Sequence, residues 1–132
     1  MNIAYQVFGD GPEHLVCVPG AISNVDLAWE LDATAAYLTR LGAHFRVIMF
    51  DKRGQGLSDR FDGIPSLEAS VDDVRAVMHA AGCQRATGFV MLLNVAQIGG
   101  GNIVRVHSLG ACHLRPCAKR PGTQLAIVVR PE

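Results

Sequence analysis

Ser108 is the residue of this sequence with the most nucleophile-like setting. It lies in the segment His-Ser-Leu-Gly-Ala at 107–111, with a glycine two residues after the serine. An isolated serine hydroxyl is a weak nucleophile at neutral pH, so it needs a histidine as base and an acid to orient that histidine. Beyond Ser108 the sequence holds one histidine, His113, and one acid, Glu132. These residue types would support acyl transfer through a covalent serine intermediate, if the fold brought them together.

The elements that must position such chemistry are organised around residues 45–59. Residues 47–50 form an unbroken apolar run, which is typical of a strand buried on both faces in a parallel sheet. The run breaks into Asp-Lys-Arg-Gly-Gln-Gly-Leu-Ser-Asp, where Gly54 and Gly56 allow backbone angles that a Cβ would forbid. We therefore predict a tight loop at the carboxyl end of the strand, the edge at which ligands bind in open α/β sheets.

An apolar strand followed by Asp-x-Arg-Gly-x-Gly-x-Ser resembles the loop after the fourth strand of α/β-hydrolase fold proteins. The motif positions in this sequence are Asp51, Arg53, Gly54, Gly56 and Ser58. The resemblance covers about residues 2–87 and is to AB hydrolase-1 type proteins, most of all to bacterial hydrolases beside or fused to adenylate or guanylate cyclase domains. It implies a small-molecule ester or related acyl substrate and association with a nucleotide cyclase domain. We expect no cofactor.

The same resemblance assigns a role to the segment Val-Pro-Gly-Ala at 18–21. In these hydrolases the loop after the third strand, often His-Gly-x, supplies one backbone N–H of the oxyanion hole. Gly20 matches the glycine, and Pro19 stands where histidine is commoner. The Ala21 amide is then the implied donor, and loss of one such donor typically slows a reaction by ~10²–10³-fold. The residues alone leave another interpretation open, a Pro-Gly turn that leaves a strand.

The nucleophile turn of this family is missing from its expected place. A fifth strand beginning at Arg85 should run into Gly-x-Ser-x-Gly, but no serine occurs between Ser70 and Ser108. At the substitute site, Val106 stands where the first glycine should be. The family order is serine, acid, histidine, whereas here the only later histidine precedes the only later acid. We therefore predict an incomplete triad.

Three hypotheses about function follow. The first is a truncated α/β-hydrolase-like protein that lacks catalysis. The second is a short hydrolase that uses Ser108, completed by oligomerisation. The third is a non-catalytic binding or regulatory module that presents the loops 19–24 and 51–59 to a partner.

The predicted fold class is α/β, the N-terminal half of an α/β-hydrolase sheet. Ile3 to Phe8 and His14 to Val18 flank the turn signal Gly-Asp-Gly-Pro at 9–12, which predicts an antiparallel hairpin. The hairpin would lead into parallel strands with flanking helices. In the resembling family a further strand precedes this pair.

The first predicted helix covers Leu27 to Leu41, with apolar residues at three- and four-residue spacing. Asn24 or Asp26 would cap it, and Gly42 would end it. Trp29 within it is expected to pack against the sheet or a neighbouring loop.

The second predicted helix covers Ser66 to Ala81, with Ser66 as its cap and Gly82 at its end. Asp72 and Asp73 are adjacent, and adjacent helical residues point about 100° apart, so they cannot converge as a pair of catalytic carboxylates. We predict that both lie on a solvated face.

A sharp change of charge divides the chain near residue 87. Residues 1–87 hold eleven acids and seven Lys or Arg, a net charge of −4, whereas residues 88–132 hold one acid and five Lys or Arg, a net charge of +4. We therefore divide the chain into a partial α/β-hydrolase domain at 1–87 and a divergent, irregular tail at 88–132. Two origins of the tail remain open, a reading-frame change in the gene and a natural short variant.

Several classes of protein are not indicated. No segment approaches the ~20 consecutive apolar residues of a transmembrane helix, and no secretion signal begins the sequence, so we expect a cytoplasmic protein without membrane association. The basic pair Lys119-Arg120 is too short for a nucleic-acid signature. Cys112, His113 and Cys117 lack the paired short spacings of zinc sites, so no metal site is predicted.

Overall fold

The computed structural model describes residues 1–91, 103–107, 113–120 and 123–129. Within these residues the chain forms a single mixed sheet, with helices between the first strands. In chain order the elements are β1 (Asn2–Phe8), β2 (Glu13–Pro19), a 3₁₀ helix (Leu27–Trp29), α1 (Asp32–His44), β3 (Phe45–Phe50), α2 (Leu67–Ala80), β4 (Arg85–Met91), β5 (Ile103–His107), β6 (His113–Arg120) and β7 (Thr123–Val129).

The strands lie in the order β5-β4-β2-β3-β1-β7-β6. The centre of the sheet is parallel, because β2 pairs in parallel with β3 on one side and with β4 on the other. Helices α1 and α2 make the crossovers that parallel neighbours require. The predicted α/β class and the buried parallel strand at 47–50 are therefore confirmed.

The predicted hairpin of the first two strands is wrong. β1 and β2 follow one another in the chain, but β3 lies between them and pairs antiparallel with β1 and parallel with β2. The physical reason lies in the turn that joins β1 and β2, which packs against the junction of α1 and β3. A Cβ on Gly9 would come within 2.3 Å of the Phe45 carbonyl oxygen, and one on Gly11 within 2.1 Å of the His44 carbonyl oxygen.

Side chains alternate between the two faces of the sheet, and each face carries its own core. Along β3, Ile48 and Phe50 join the core under α2, whereas Val47 and Met49 join the core under α1. The α2 face also holds the buried helical residues Val74, Ala76, Val77 and Met78. The two helices therefore cover opposite faces of the sheet.

The first predicted helix is divided in two. A 3₁₀ turn at Leu27–Trp29 precedes α1, which runs through Gly42 to His44. The Asn24 Oδ1 accepts hydrogen bonds from the backbone N–H groups of Asp26 and Leu27 at 3.2 and 3.0 Å, so it caps the 3₁₀ turn rather than α1. Trp29 packs edge-on against Phe8 at 5.0 Å between ring centroids, which confirms its packing role.

The second predicted helix is confirmed in its extent and its cap. The Ser66 side chain accepts a hydrogen bond from the Ala69 N–H at 3.1 Å, and Gly82 follows the helix with a φ of 69°. The prediction for its acids holds for Asp72 but is wrong for Asp73. Asp73 is only 3% exposed, because Arg53 from the loop after β3 reaches it.

The region predicted to be an irregular tail supplies further strands. β4 begins at Arg85, as predicted, and continues to Met91 across the proposed boundary. The strand-like run at 125–129 lies in β7, which pairs antiparallel with β1. β5 and β6 are strands where the sequence predicts none. β6 contains Pro116, and proline is tolerated there because β6 is at the sheet edge. Whether 88–132 is a separate unit stays a prediction.

Candidate functional site

The site is formed by two loops that meet at the carboxyl ends of β2 and β3. The 51–59 loop follows β3 and contains the predicted motif. The 20–25 loop follows β2 and contains the predicted backbone donor.

Asp51 is the buried centre of the 51–59 loop and is fully buried. Its Oδ1 accepts a hydrogen bond from the Val25 N–H at 2.9 Å, and its Oδ2 accepts one from the Leu57 N–H at 2.9 Å. Burial raises the pKa of this carboxyl above its ordinary value of 3.8, and the two backbone donors partly offset that rise. One carboxylate therefore joins both loops.

Gly54 and Gly56 have positive φ angles of 79° and 52°, which confirms the predicted tight turn. Gly56 is required for a second reason as well. A Cβ built on it would lie 2.0 Å from the Asp51 Oδ2, closer than any real contact. The glycine thus leaves room for the carboxylate that ties the loops together.

Ser58 has a structural role in this loop. Its buried hydroxyl donates to the Asp51 carbonyl oxygen at 2.7 Å and accepts from the Ala4 N–H at 2.9 Å. The loop is thereby fastened to β1. Because both contacts are to backbone groups inside the protein, Ser58 is not placed to act as a nucleophile.

Arg53 fastens the same loop to α2. Its Nε donates to one carboxylate oxygen of Asp73 at 2.7 Å and its Nη2 to the other at 2.6 Å. Nη2 also donates to the Ala69 carbonyl oxygen at 3.2 Å, and the guanidinium stacks 5.3 Å from the centroid of the Phe61 ring. This two-point geometry is the strong form of an arginine–carboxylate pair.

The 20–25 loop is held by side chains of the 51–59 loop. The Lys52 Nζ donates to the Gly20 carbonyl oxygen. The Gln55 Nε2 donates to the Ala21 carbonyl oxygen at 2.9 Å, and the Gln55 Oε1 accepts from the Ser23 N–H at 2.8 Å. The Ser23 hydroxyl in turn accepts from the Lys52 N–H at 2.9 Å. Successive peptides of the loop are therefore fixed by Lys52, Gln55 and Asp51.

A small pocket opens between the two loops and the strand ends. Cys17 contributes to its lining, and burial raises the pKa of its thiol to about 12. The thiol therefore stays protonated at neutral pH and is not an activated nucleophile. The remaining lining residues are mostly apolar and comprise Pro19, Ile22, Ser23, Asn24, Val25, Ala28, Met49, Phe50 and Asp51.

The structure brings most of the predicted site residues together at one sheet edge. Gly20 and Ala21 lie on the 20–25 loop, next to the loop that carries the motif residues. Ser108 lies outside the described residues. Sequence reasoning missed Lys52 and Gln55, which occupy the variable positions of the motif. The sequence did show that both are long polar side chains and that they lie between the residues that form the turn, so they were free to bind a neighbouring loop.

Comparisons with known proteins bear on the fold. Scans of protein-family models and of curated proteins found no match. Among solved structures, the enol-lactonase from Burkholderia xenovorans LB400 is similar at 24% identity and a TM-score of 0.57, over 67% of this chain and 33% of that protein. A hydrolase from Pseudomonas aeruginosa PA01 is similar at 27% identity and a TM-score of 0.56, over 67% of this chain and 32% of that protein.

Over the N-terminal part that matches these structures, the fold is that of the α/β hydrolases. The chain spans about a third of the length of the two solved structures. Among the described residues, no group of three or more His, Cys, Asp or Glu side chains could hold a metal ion. No helix in the described part of the chain combines the length and apolar character needed to cross a membrane.

Proposed function

We propose that this chain is an α/β-hydrolase-like protein related to serine hydrolases of small-molecule esters or acyl compounds. In this proposal residues 1–132 carry the oxyanion side of such a site and do not by themselves supply a complete catalytic triad. The support is the α/β-hydrolase fold together with the two loops at the carboxyl edge of the sheet. The name of one structural neighbour, enol-lactonase, is consistent with an ester as substrate.

The observation that carries the proposal is the fixed geometry of the 20–25 loop. Stabilising a tetrahedral oxyanion requires backbone N–H donors that are oriented before the reaction begins. The carbonyl groups of Gly20 and Ala21 are both bound by side chains of the 51–59 loop, which restrains the Ala21 amide between them. The adjoining pocket is small and mostly apolar, which suits the acyl part of a small ester.

The proposed donor can be tested without turnover. Ethyl methylphosphonate is a tetrahedral monoanion that resembles the intermediate of ester hydrolysis. Titrated into ¹⁵N-labelled full chain, it should shift the amide resonance of Ala21 and its neighbours in the 20–25 loop. Shifts confined to other regions, or no saturable shift at all, would argue against an oxyanion site.

The incomplete triad is tested by a fluorophosphonate probe and by hydrolysis of p-nitrophenyl acetate. We expect no labelling and negligible hydrolysis, because a serine without a base is a weak nucleophile. Ser108→Ala is the matched variant. Labelling of the wild type that disappears in Ser108→Ala would replace this proposal by the short hydrolase that uses Ser108.

A binding or regulatory module is the second candidate function, favoured by two exposed apolar side chains on the loops. Ile22 is 75% exposed and Leu57 is 45% exposed. In this proposal the two loops form a partner surface, and the resemblance suggests a nucleotide cyclase domain as the partner. Capture of such a domain by the wild type, and loss of capture in Ile22→Ser with Leu57→Ser, would support the module. Equal capture by both would reject this surface.

A further inference from the structure

The peptide that carries the proposed donor has its orientation set from its other end. A trans peptide is planar, so the carbonyl of Gly20 and the N–H of Ala21 point in opposite directions. Whatever holds the Gly20 carbonyl oxygen therefore decides where the Ala21 N–H points. In this structure that group is the ammonium of Lys52.

The restraint acts on a peptide that could otherwise turn over. Such a turn would change ψ of Gly20 and φ of Ala21 together, and its steric limit lies at Ala21, because that residue carries a Cβ. A partner for the Gly20 carbonyl oxygen adds to that limit and favours one orientation of the peptide.

Lys52 is itself well anchored for this role. Its backbone N–H donates to the Ser23 hydroxyl at 2.9 Å, and it follows Asp51, whose carboxylate binds the Val25 N–H. The ammonium therefore starts from a backbone fixed against the loop that it holds. The bond it makes is partly buried, so water competes with it less than at an open surface.

We infer that Lys52 is a positioning residue, whose ammonium holds the Gly20–Ala21 peptide in the orientation that presents the Ala21 N–H as a donor. Gln55 fixes the next peptide through the Ala21 carbonyl, so the two side chains act on neighbouring peptides. The inference rests on the proposed role of Ala21 for its functional meaning. The control of the peptide by Lys52 is measurable without that role.

Crystal structures of the full chain test the inference directly, because the direction of a peptide carbonyl is visible in the density. In Lys52→Met the ammonium is lost while the side chain keeps a similar length. We expect the Gly20 carbonyl to turn away or to occupy two orientations. Lys52→Arg restores a cationic donor and should return the wild-type orientation. Arg60→Met removes an exposed positive charge from the same segment and should leave the peptide unchanged.

A single wild-type orientation of the peptide in Lys52→Met would overturn the inference. If that variant does not fold, an NMR measurement on the wild-type protein tests the inference instead. A scalar coupling through the hydrogen bond, between the Lys52 ¹⁵Nζ and the Gly20 ¹³C′, supports the inference, and its absence with the ammonium resonance resolved overturns it. Both readouts are made without ligand. Suppose that the phosphonate causes no shift but the orientation of the Gly20–Ala21 peptide depends on Lys52. That combination would reject the proposed function and leave the positioning role of Lys52 standing.

Discussion

The two loops at the carboxyl edge of the sheet are held in opposite ways. The 51–59 loop is shaped by its own glycines and fastened to β1 and α2 by Ser58 and Arg53. The 20–25 loop takes most of its restraints from Lys52, Gln55 and Asp51 of the other loop, with one further hydrogen bond from the Gln6 side chain of β1 to the Val25 carbonyl oxygen. One loop is a support and the other is supported. Damage to the 51–59 loop should therefore spread to the 20–25 loop.

The largest expected loss of stability comes from removing the contact between the 51–59 loop and α2. Asp73→Asn leaves the Arg53 guanidinium without its carboxylate in a site where the two side chains are 10% and 5% exposed. Because breaking a buried pair leaves an uncompensated charge, we expect a loss of about 3 kcal/mol in the free energy of unfolding. Urea denaturation measures it.

The adjacent acid is the matched control. Asp72 pairs with Arg75 at the surface, where the side chains are about half exposed at 47% and 51%. Asp72→Asn should cost only about 0.3 kcal/mol, as exposed helical pairs do. Equal losses in the two variants would show that Arg53 does not anchor the loop.

A somewhat smaller loss is expected when a Cβ is placed against the carboxylate that joins the loops. Gly56→Ala combines a positive φ with a clash on Asp51, and we expect a cost of about 2 kcal/mol. Hydrogen exchange at the Val25 amide should accelerate, because that N–H binds the displaced carboxylate. Gly82→Ala shares the positive φ but meets nothing within 4 Å, so its cost should be about 1 kcal/mol. If Gly82→Ala also accelerated exchange at Val25, the proposed route through Asp51 would be wrong.

Of the three changes that test the link between the loops, the one with the smallest expected effect depends on pH. Asp51→Asn replaces one acceptor oxygen by an amide that cannot accept, so we expect a loss of about 1–2 kcal/mol. Burial raises the pKa of Asp51 above 3.8, so the folded state binds the proton more tightly than the unfolded state. The contribution of this carboxyl to stability is then full below pH 3.8 and falls as pH rises through the folded pKa.

The advantage of the wild type over Asp51→Asn should accordingly be largest below pH 3.8 and smaller near neutral pH. Parallel urea titrations of the two proteins across this range measure the difference. An advantage that grows with pH would mean that the backbone donors lower the pKa of Asp51 by more than burial raises it.

Local sequence was enough to predict the 51–59 loop. The apolar run of β3, the two glycines and the Ser66 cap are each specified within a few residues. Positive φ angles at Gly54 and Gly56 follow from turn chemistry alone. For the candidate site, the sequence predicted the motif residues and the position of the two loops at the ends of the strands, but not the contacts between the loops.

Long-range contacts were beyond that reasoning. The burial of Asp73 depends on Arg53, twenty residues earlier, and helical periodicity carries no information about such a partner. The ties from Lys52 and Gln55 to the 20–25 loop likewise join segments about thirty residues apart. Leu67 and Val71 of α2 show the same limit. They lie at helical spacing with the buried Val74 and Met78, yet they are 76% and 39% exposed.

The place of β3 between β1 and β2 has a consequence for how the chain folds as it is synthesised. β1 and β2 emerge before β3, joined by a short turn, and would readily pair as a hairpin that the finished sheet does not contain. Such a pairing must open before β3 can enter, so it would be a kinetic trap of the kind that slows folding. The backbone contact of Gly9 and Gly11 with the end of α1 forms only when that helix is present. We expect the arrival of α1, rather than the pairing of the first two strands, to commit the nascent chain to its native order.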